Sequence, residues 1–290
     1  MPPGNKKYLI LNGHFYETDR PLFSPENRAF RYGDGLFETI RCHKTIPLFF
    51  EEHYDRLLRG MATLKLTAAG LPSLSVLKSH IEKLIVRNRI FYDARVRLTV
   101  FRREGGLYTP ETNSPAWLLE AFPLDDKGYH LNRDGIRIGL FTGFPKAWSL
   151  AASYKTLSCT PSILAGIHKK ENYWDDCLIV NQDKKIIESI SSNLFWVKNN
   201  TIYTPSLSSG CVDGIMRRQI FKFAKEINAE LKENSGASKE ELMDAEEIFL
   251  SNSISGITWV VAFEHKRYFN RIPKQIENWL NNQLKTIAPD

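Results

Sequence analysis

Apolar and polar residues follow two rhythms along this chain, and the changes between them mark out its elements. A period of two predicts strands at residues 8–11 and 14–18. Asn12-Gly13 between them suits the primed turn of a β-hairpin. The same rhythm predicts a second strand pair at 36–42 and 45–50. The period then lengthens towards that of a helix. Leu57, Leu58, Met61 and Leu64 share one face of a helix over 51–64, and Leu74, Leu77, Ile81, Leu84 and Ile85 one face of a helix over 73–89. Strands return at 95–101 and 116–122, around a glycine-containing loop at 102–115.

Residues 123–134 are polar, carry Pro, Gly and the adjacent aspartates Asp125-Asp126, and read as a linker. They divide the chain into an N-terminal domain, 1–122, and a C-terminal domain, 135–290. The second half opens with a strand at 136–141. Hairpin-like pairs follow at 177–188 and 194–203, turning at Gln182-Asp183 and Asn199-Asn200. Helices are predicted near 162–171, 214–227, 238–243 and 274–286; the third begins with a capping box, Ser238 with Glu241. Both halves mix α and β, and no segment repeats.

A chain of 290 residues with 42% apolar content buries a sizeable core, and its length suits two domains. The net charge of +6 is modest, and the cations are spread out apart from small groups such as Lys6-Lys7 and Lys169-Lys170. No stripe for nucleic acid stands out. Cys42, Cys159, Cys177 and Cys211 are too far apart for a zinc site or a disulfide framework, so no metal is expected. The short run Tyr8 to Leu11 fits no signal peptide, and no stretch approaches the ~20 apolar residues of a membrane span. These features point to a reduced, cytoplasmic protein with no membrane partner.

The chemistry is concentrated in two segments. Lys155-Thr156-Leu157 is followed, 33 residues after the lysine, by Glu188-Ser189-Ile190-Ser191-Ser192-Asn193-Leu194-Phe195. A lysine ε-amine forms a Schiff base with an aldehyde, and a buried carboxylate holds a pyridine nitrogen protonated; pyridoxal phosphate chemistry needs both groups. Ile202-x-Thr204 and Val212-x-Gly214-Ile215-x-Arg217 continue the run. Together these segments resemble the signature of the class IV aminotransferases, the fold type IV pyridoxal phosphate enzymes. Upstream, Arg28-x-x-x-Tyr32-Gly33-Asp34-Gly35-Leu36-Phe37-Glu38-Thr39-Ile40-Arg41 is similar to the N-terminal motif of the same family.

The resemblance implies an α+β, two-domain fold: a small N-terminal α/β sandwich and a larger C-terminal barrel-like α/β domain. It implies Lys155 as the catalytic, cofactor-bearing residue and Glu188 as the partner of the ring nitrogen, with Asn193 bracing the nearby backbone. The cofactor phosphate would rest on the backbone of Ile215 and Met216, on the Ser253 hydroxyl and on Arg56, within His53-x-x-Arg56-Leu57. Tyr32, Phe37, Thr39, Arg41, Tyr108 and Ile254 are the pocket residues it suggests, and strand alternation leaves core or solvent as the other placement of Phe37 or Arg41. Arg97 either holds a substrate carboxylate or makes a structural salt bridge. The activity implied is transfer of an amino group from a small amino acid, of branched-chain or D type, to a 2-oxo acid, in a homodimer. The alternative is 4-amino-4-deoxychorismate lyase, which releases pyruvate and 4-aminobenzoate. Arg102-Arg103-Glu104-Gly105-Gly106-Leu107-Tyr108 departs from the Arg-Gly-Tyr ending common among those lyases. A non-catalytic pyridoxal phosphate-binding homologue is a third reading.

Overall fold

The alternating rhythm of the first 123 residues resolves into a single antiparallel sheet. In the computed structural model, which describes residues 7–125 and 128–287, β1 (Tyr8–Leu11) and β2 (His14–Glu17) form the expected hairpin. Lys6 and Asp126, used in the sequence reading, lie outside the described residues. A short helix α1 (Arg28–Tyr32) leads into β3 (Gly35–His43), which is followed by β4 (Ile46–Pro47). With β5 (Ala94–Arg102) and β6 (Pro115–Pro123), the strand order is β2-β1-β6-β5-β3-β4.

Helices α2 (Phe50–Thr63) and α3 (Leu74–Arg87) cover one face of this sheet. Alternation along β3 sends Leu36, Ile40 and Cys42 into the core, against Leu57 and Met61 of α2 and Ile81 and Leu84 of α3. Phe37, Thr39 and Arg41 fall on the opposite face by the same parity. The strand expected over 45–50 is only Ile46–Pro47. Phe49 there adopts a left-handed backbone, φ 52°, which turns the chain into α2 at once. The sequence reading passed over α1, whose five residues are too few for a periodic pattern. It is capped by Asn27 at one end and by Gly33, φ 64°, at the other.

The second half builds a barrel-like sheet. Its elements are β7 (Ile136–Lys146), α4 (Thr160–Glu171), β8 (Asp176–Asn181), β9 (Ile186–Ser189), β10 (Asn193–Lys198), β11 (Thr201–Pro205), α5 (Ile215–Glu226), β12 (Leu231–Asn234), α6 (Lys239–Asp244), β13 (Glu247–Asn252), β14 (Gly256–Phe263), β15 (Lys266–Arg267) and α7 (Arg271–Ile287). The order is β12-β11-β10-β13-β14-β7-β8-β9, and β9 pairs back onto β10, closing the sheet on itself. β7 runs parallel to β8, with α4 as the crossover that a parallel pair requires. Ile138, Leu178, Leu194, Trp196, Leu250 and Val260 fill one shared core. On another face Phe195 stacks on Phe249, with ring centroids 5.1 Å apart.

The chain divides into two compact units, residues 1–128 with 154–158, and residues 129–153 with 159–290. The division falls inside the segment read as a linker, but that segment is not slack. Pro123 ends β6, and Tyr129 is buried, exchanging two hydrogen bonds with the Asn281 side chain at 3.1 and 2.7 Å. The excursion of Tyr154–Ser158 into the first unit was not expected. Among the described residues no helix is long and apolar enough to cross a membrane.

Candidate functional site

In the first unit the chemistry begins with how the Tyr154–Ser158 strip docks on β3. The Phe37 N–H donates to the Lys155 carbonyl at 2.8 Å and the Leu157 N–H to the Gly35 carbonyl at 3.0 Å. A Cβ on residue 35 would lie 2.5 Å from the Val100 carbonyl oxygen and 2.9 Å from Leu157 Cδ1, so only glycine admits the strip. Lys155 is half-buried, its Nζ 4.7 Å from the centroid of the Phe37 ring. The Arg97 guanidinium packs on the same ring at 3.8 Å. A lysine amine and a guanidinium therefore share one aromatic side chain, and Thr39 is paired in register with Arg97.

Also in the first unit, Tyr32 and Tyr108 are in contact, with ring centroids 5.6 Å apart. The loop bearing Tyr108 is held by Arg28, whose buried guanidinium donates to the carbonyls of Gly105, Gly106 and Leu107 at 3.1, 3.2 and 2.6 Å. Asp34 takes Arg28 Nε and Arg102 Nε, each at 2.9 Å. Arg102 is thus built into the scaffold of the loop.

Two arginines assigned to ligands in the sequence reading are engaged in buried ion pairs. Arg56 donates through Nε and Nη2 to the two oxygens of Glu38, at 2.8 and 2.5 Å, and His53 Nδ1 meets Glu38 Oε2 at 2.7 Å. Burial alone would raise the Glu38 carboxyl, but Arg56 and His53 outweigh it and hold it at about 2. Arg41 is clamped on Asp93 at 2.9 and 2.7 Å, with His43 on the other carboxylate oxygen at 2.8 Å. Arg41 was read as a pocket residue; here it is a buried tie between β3 and the turn before β5.

In the second unit, Glu188 is the penultimate residue of β9 and pairs with Asn193 across the β9–β10 ladder. Its Oε2 accepts the Val212 N–H at 2.9 Å and its Oε1 accepts Lys146 Nζ at 2.6 Å. Asn193 Nδ2 donates to the Val212 carbonyl at 2.7 Å, so it braces the segment entering α5. That helix opens with buried Ile215 and Met216 and has no side-chain cap. A Cβ on its N-cap residue, Gly214, would lie 1.9 Å from Asn193 Oδ1. Ser253 and Ile254 lie in the turn after β13, where Asn252 Oδ1 accepts the N–H groups of Ile254 and Ser255 at 2.9 and 2.8 Å. A cavity of about 250 Å³ in this unit is lined by Ile190, Ser191, Ser192, Asn252 and Ser255 together with Lys169, Asp175 and Asp176, and by neither Glu188 nor Ser253.

These groups suit a phosphorylated pyridine aldehyde. An uncapped helix N-terminus with glycine at its mouth offers backbone N–H groups to a phosphate. In β13, the buried Ser251 hydroxyl has no hydrogen-bond partner among the described residues. Glu188 supplies a fixed carboxylate in this unit; the primary amine of Lys155 belongs to the first unit. Sequence reasoning missed Lys146, 42 residues before Glu188, because only the barrel's strand pairing brings them together. It also missed Ser251 and the Glu38–His53 partners of Arg56. Among the described residues no cluster of His, Cys, Asp and Glu has the makings of a metal site.

Known proteins are similar to this chain in sequence and in fold. The amino-transferase class IV family model matches residues 35–263. The aminodeoxychorismate lyase of Bacillus subtilis is 29% identical over 269 residues, covering 90% of this chain and 88% of that protein. A putative branched-chain-amino-acid aminotransferase of Methanocaldococcus jannaschii is 28% identical, with 96% of each chain covered. Among solved structures, a branched-chain aminotransferase from Thermoproteus uzoniensis superposes with a TM-score of 0.87 at 19% identity, covering 98% of this chain and 96% of that one. The branched-chain aminotransferase of Escherichia coli gives 0.85 at 23% identity, covering 98% and 97%. At such identities the structural matches speak for the fold alone.

Proposed function

The chain belongs to the class IV aminotransferase family, whose enzymes use pyridoxal phosphate, and on that premise we propose that it transfers the amino group of a small amino acid to a 2-oxo acid. The observation that carries this reading is the sharing of the Phe37 ring by Lys155 Nζ and the Arg97 guanidinium. One group is a nucleophilic amine and base, and the other is a planar cation suited to a carboxylate.

When bound, pyridoxal phosphate supplies an aldehyde and an electron-withdrawing ring. Lys155 would hold that aldehyde and, as a base, would move a proton at the substrate Cα. Arg97 orients the substrate carboxylate, while Phe37, Tyr32 and Tyr108 give the pocket its apolar walls. Glu188 keeps the ring nitrogen protonated, and the backbone N–H groups of Ile215 and Met216, with the Ser253 hydroxyl, seat the phosphate. Arg56 is assigned to the phosphate as well, with Glu38 fixing its guanidinium. The reading includes a cytoplasmic homodimer, a state that sedimentation of the loaded protein checks.

The test is a half-reaction. One amino acid without an acceptor should convert the enzyme-bound cofactor to its aminated form, one equivalent per site, and then stop. The 29% identity to a lyase favours a second reading, in which aminodeoxychorismate is turned over repeatedly with release of pyruvate. Repeated turnover of that substrate, with no half-reaction on any amino acid, would reject transamination.

A further inference from the structure

Lys146 is the charged group that the sequence reading left out of the chemistry. It sits at the end of β7, where the ladder with β8 slips: the register advances from Phe141↔Ile179 to Lys146↔Asn181, five residues against two. This bulge carries the Lys146 ammonium to 2.6 Å from Glu188 Oε1, with the Ala152 carbonyl a further acceptor at 3.4 Å. Both partners are mostly buried, 18% and 8% exposed. The neighbouring Cys211 thiol registers both charges. It is pushed up to about 11 chiefly by burial, then by the negative charge of Glu188, with Lys146 acting in the opposite direction.

We propose that Lys146 acts through Glu188 to weaken the carboxylate's hold on a protonated ring nitrogen, so that the strength of the electron sink is set by the pair rather than by Glu188 alone. The inference rests on the role given to Glu188 above. A lone carboxylate at low dielectric attracts a pyridinium strongly. A carboxylate with an ammonium on one oxygen is close to a neutral dipole, and its attraction falls off much faster with distance. The Val212 N–H on Oε2 already fixes the carboxylate plane, so Lys146 is not needed to orient it. Its positive charge is what it adds.

The experiment compares the affinity of the cofactor-free protein for pyridoxal phosphate and for its 1-deaza analogue, in which a ring CH replaces the nitrogen. The ratio of the two dissociation constants isolates the ring nitrogen, because the phosphate and aldehyde contacts cancel. Glu188→Gln should abolish the preference for the nitrogen-containing cofactor. Lys146→Met should raise that preference about tenfold, as expected for removing the cation held 2.6 Å from the carboxylate that would face the nitrogen. Lys146→Gln keeps a donor for Oε1 without the charge and should behave like Met, while Lys146→Arg should keep the wild-type ratio. An unchanged or lowered ratio in the Met and Gln variants would overturn the proposal. With a reduced melting temperature, that result identifies Lys146 as a structural clamp. A preference that survives Glu188→Gln would instead remove the role of Glu188, and the inference with it.

Discussion

Glu38 receives Arg56 through two parallel hydrogen bonds, 2.8 Å from Nε and 2.5 Å from Nη2, with both side chains 3% exposed. This geometry makes Arg56 a structural element before it is a ligand for anything. Removing one member of a buried pair strands the other, at a cost of about 3–5 kcal/mol. Arg56→Ala is therefore expected to lower the unfolding free energy by about that much in urea titration. The Glu38→Ala, Arg56→Ala double variant should lose clearly less than the sum of the singles.

The same cluster sets an acid limit on stability. His53 is lowered from 6.5, chiefly by burial, so the unfolded chain takes up its proton first and stability begins to fall as pH drops below about 6.5. Glu38 is lowered from 4.5 to about 2, so its contribution is complete above about 4.5 and is lost as pH falls from there through about 2. Melting temperatures from pH 7 to 3 should show this two-stage decline. His53→Gln should remove the upper stage while leaving the lower one.

Gly35 gives direct access to the placement of Lys155. Alanine there meets the Val100 carbonyl oxygen at 2.5 Å, and a contact that short forces the backbone or the Tyr154–Ser158 strip to move. Gly35→Ala should cost about 1–3 kcal/mol of stability. It should also reduce cofactor incorporation, measured as visible absorbance per chain after reconstitution.

How far this was legible in the sequence depends on how local each feature is. The Asn12-Gly13 hairpin, the amphipathic faces of α2 and α3 and the capping box at Ser238 are short-range patterns, and each is present. Lys155 and Glu188 stood out because their spacing falls within one recognisable run. The ion pairs did not. Glu38 and Arg56 are 18 residues apart on different elements, and Lys146 meets Glu188 only through a bulge in a parallel ladder. Arg41 illustrates the same limit: periodicity puts it on the face shared with Phe37, but only tertiary structure supplies Asp93 to hold it. The strip at 154–158 leaves one unit for the other and returns within five residues, which no composition shift announces.

Ser253→Ala separates cofactor binding from folding. The Ser253 carbonyl accepts the Tyr129 hydroxyl at 3.2 Å, a backbone contact that alanine keeps. The expected result is an unchanged melting temperature for the cofactor-free protein and a weaker affinity for pyridoxal phosphate. A phosphate contact holds ground state and transition state about equally, so the rate should return when the cofactor is supplied in excess.

The central claim is that Lys155 carries the cofactor. Lys155→Ala should abolish turnover, but a loss of rate alone does not locate the covalent bond. Borohydride reduction of the reconstituted protein, followed by peptide mapping, does. The pyridoxyl label should be found on Lys155, the amine held 4.7 Å from the Phe37 ring. A label on Lys146, whose amine lies 2.6 Å from Glu188, or on Lys169, would contradict the account.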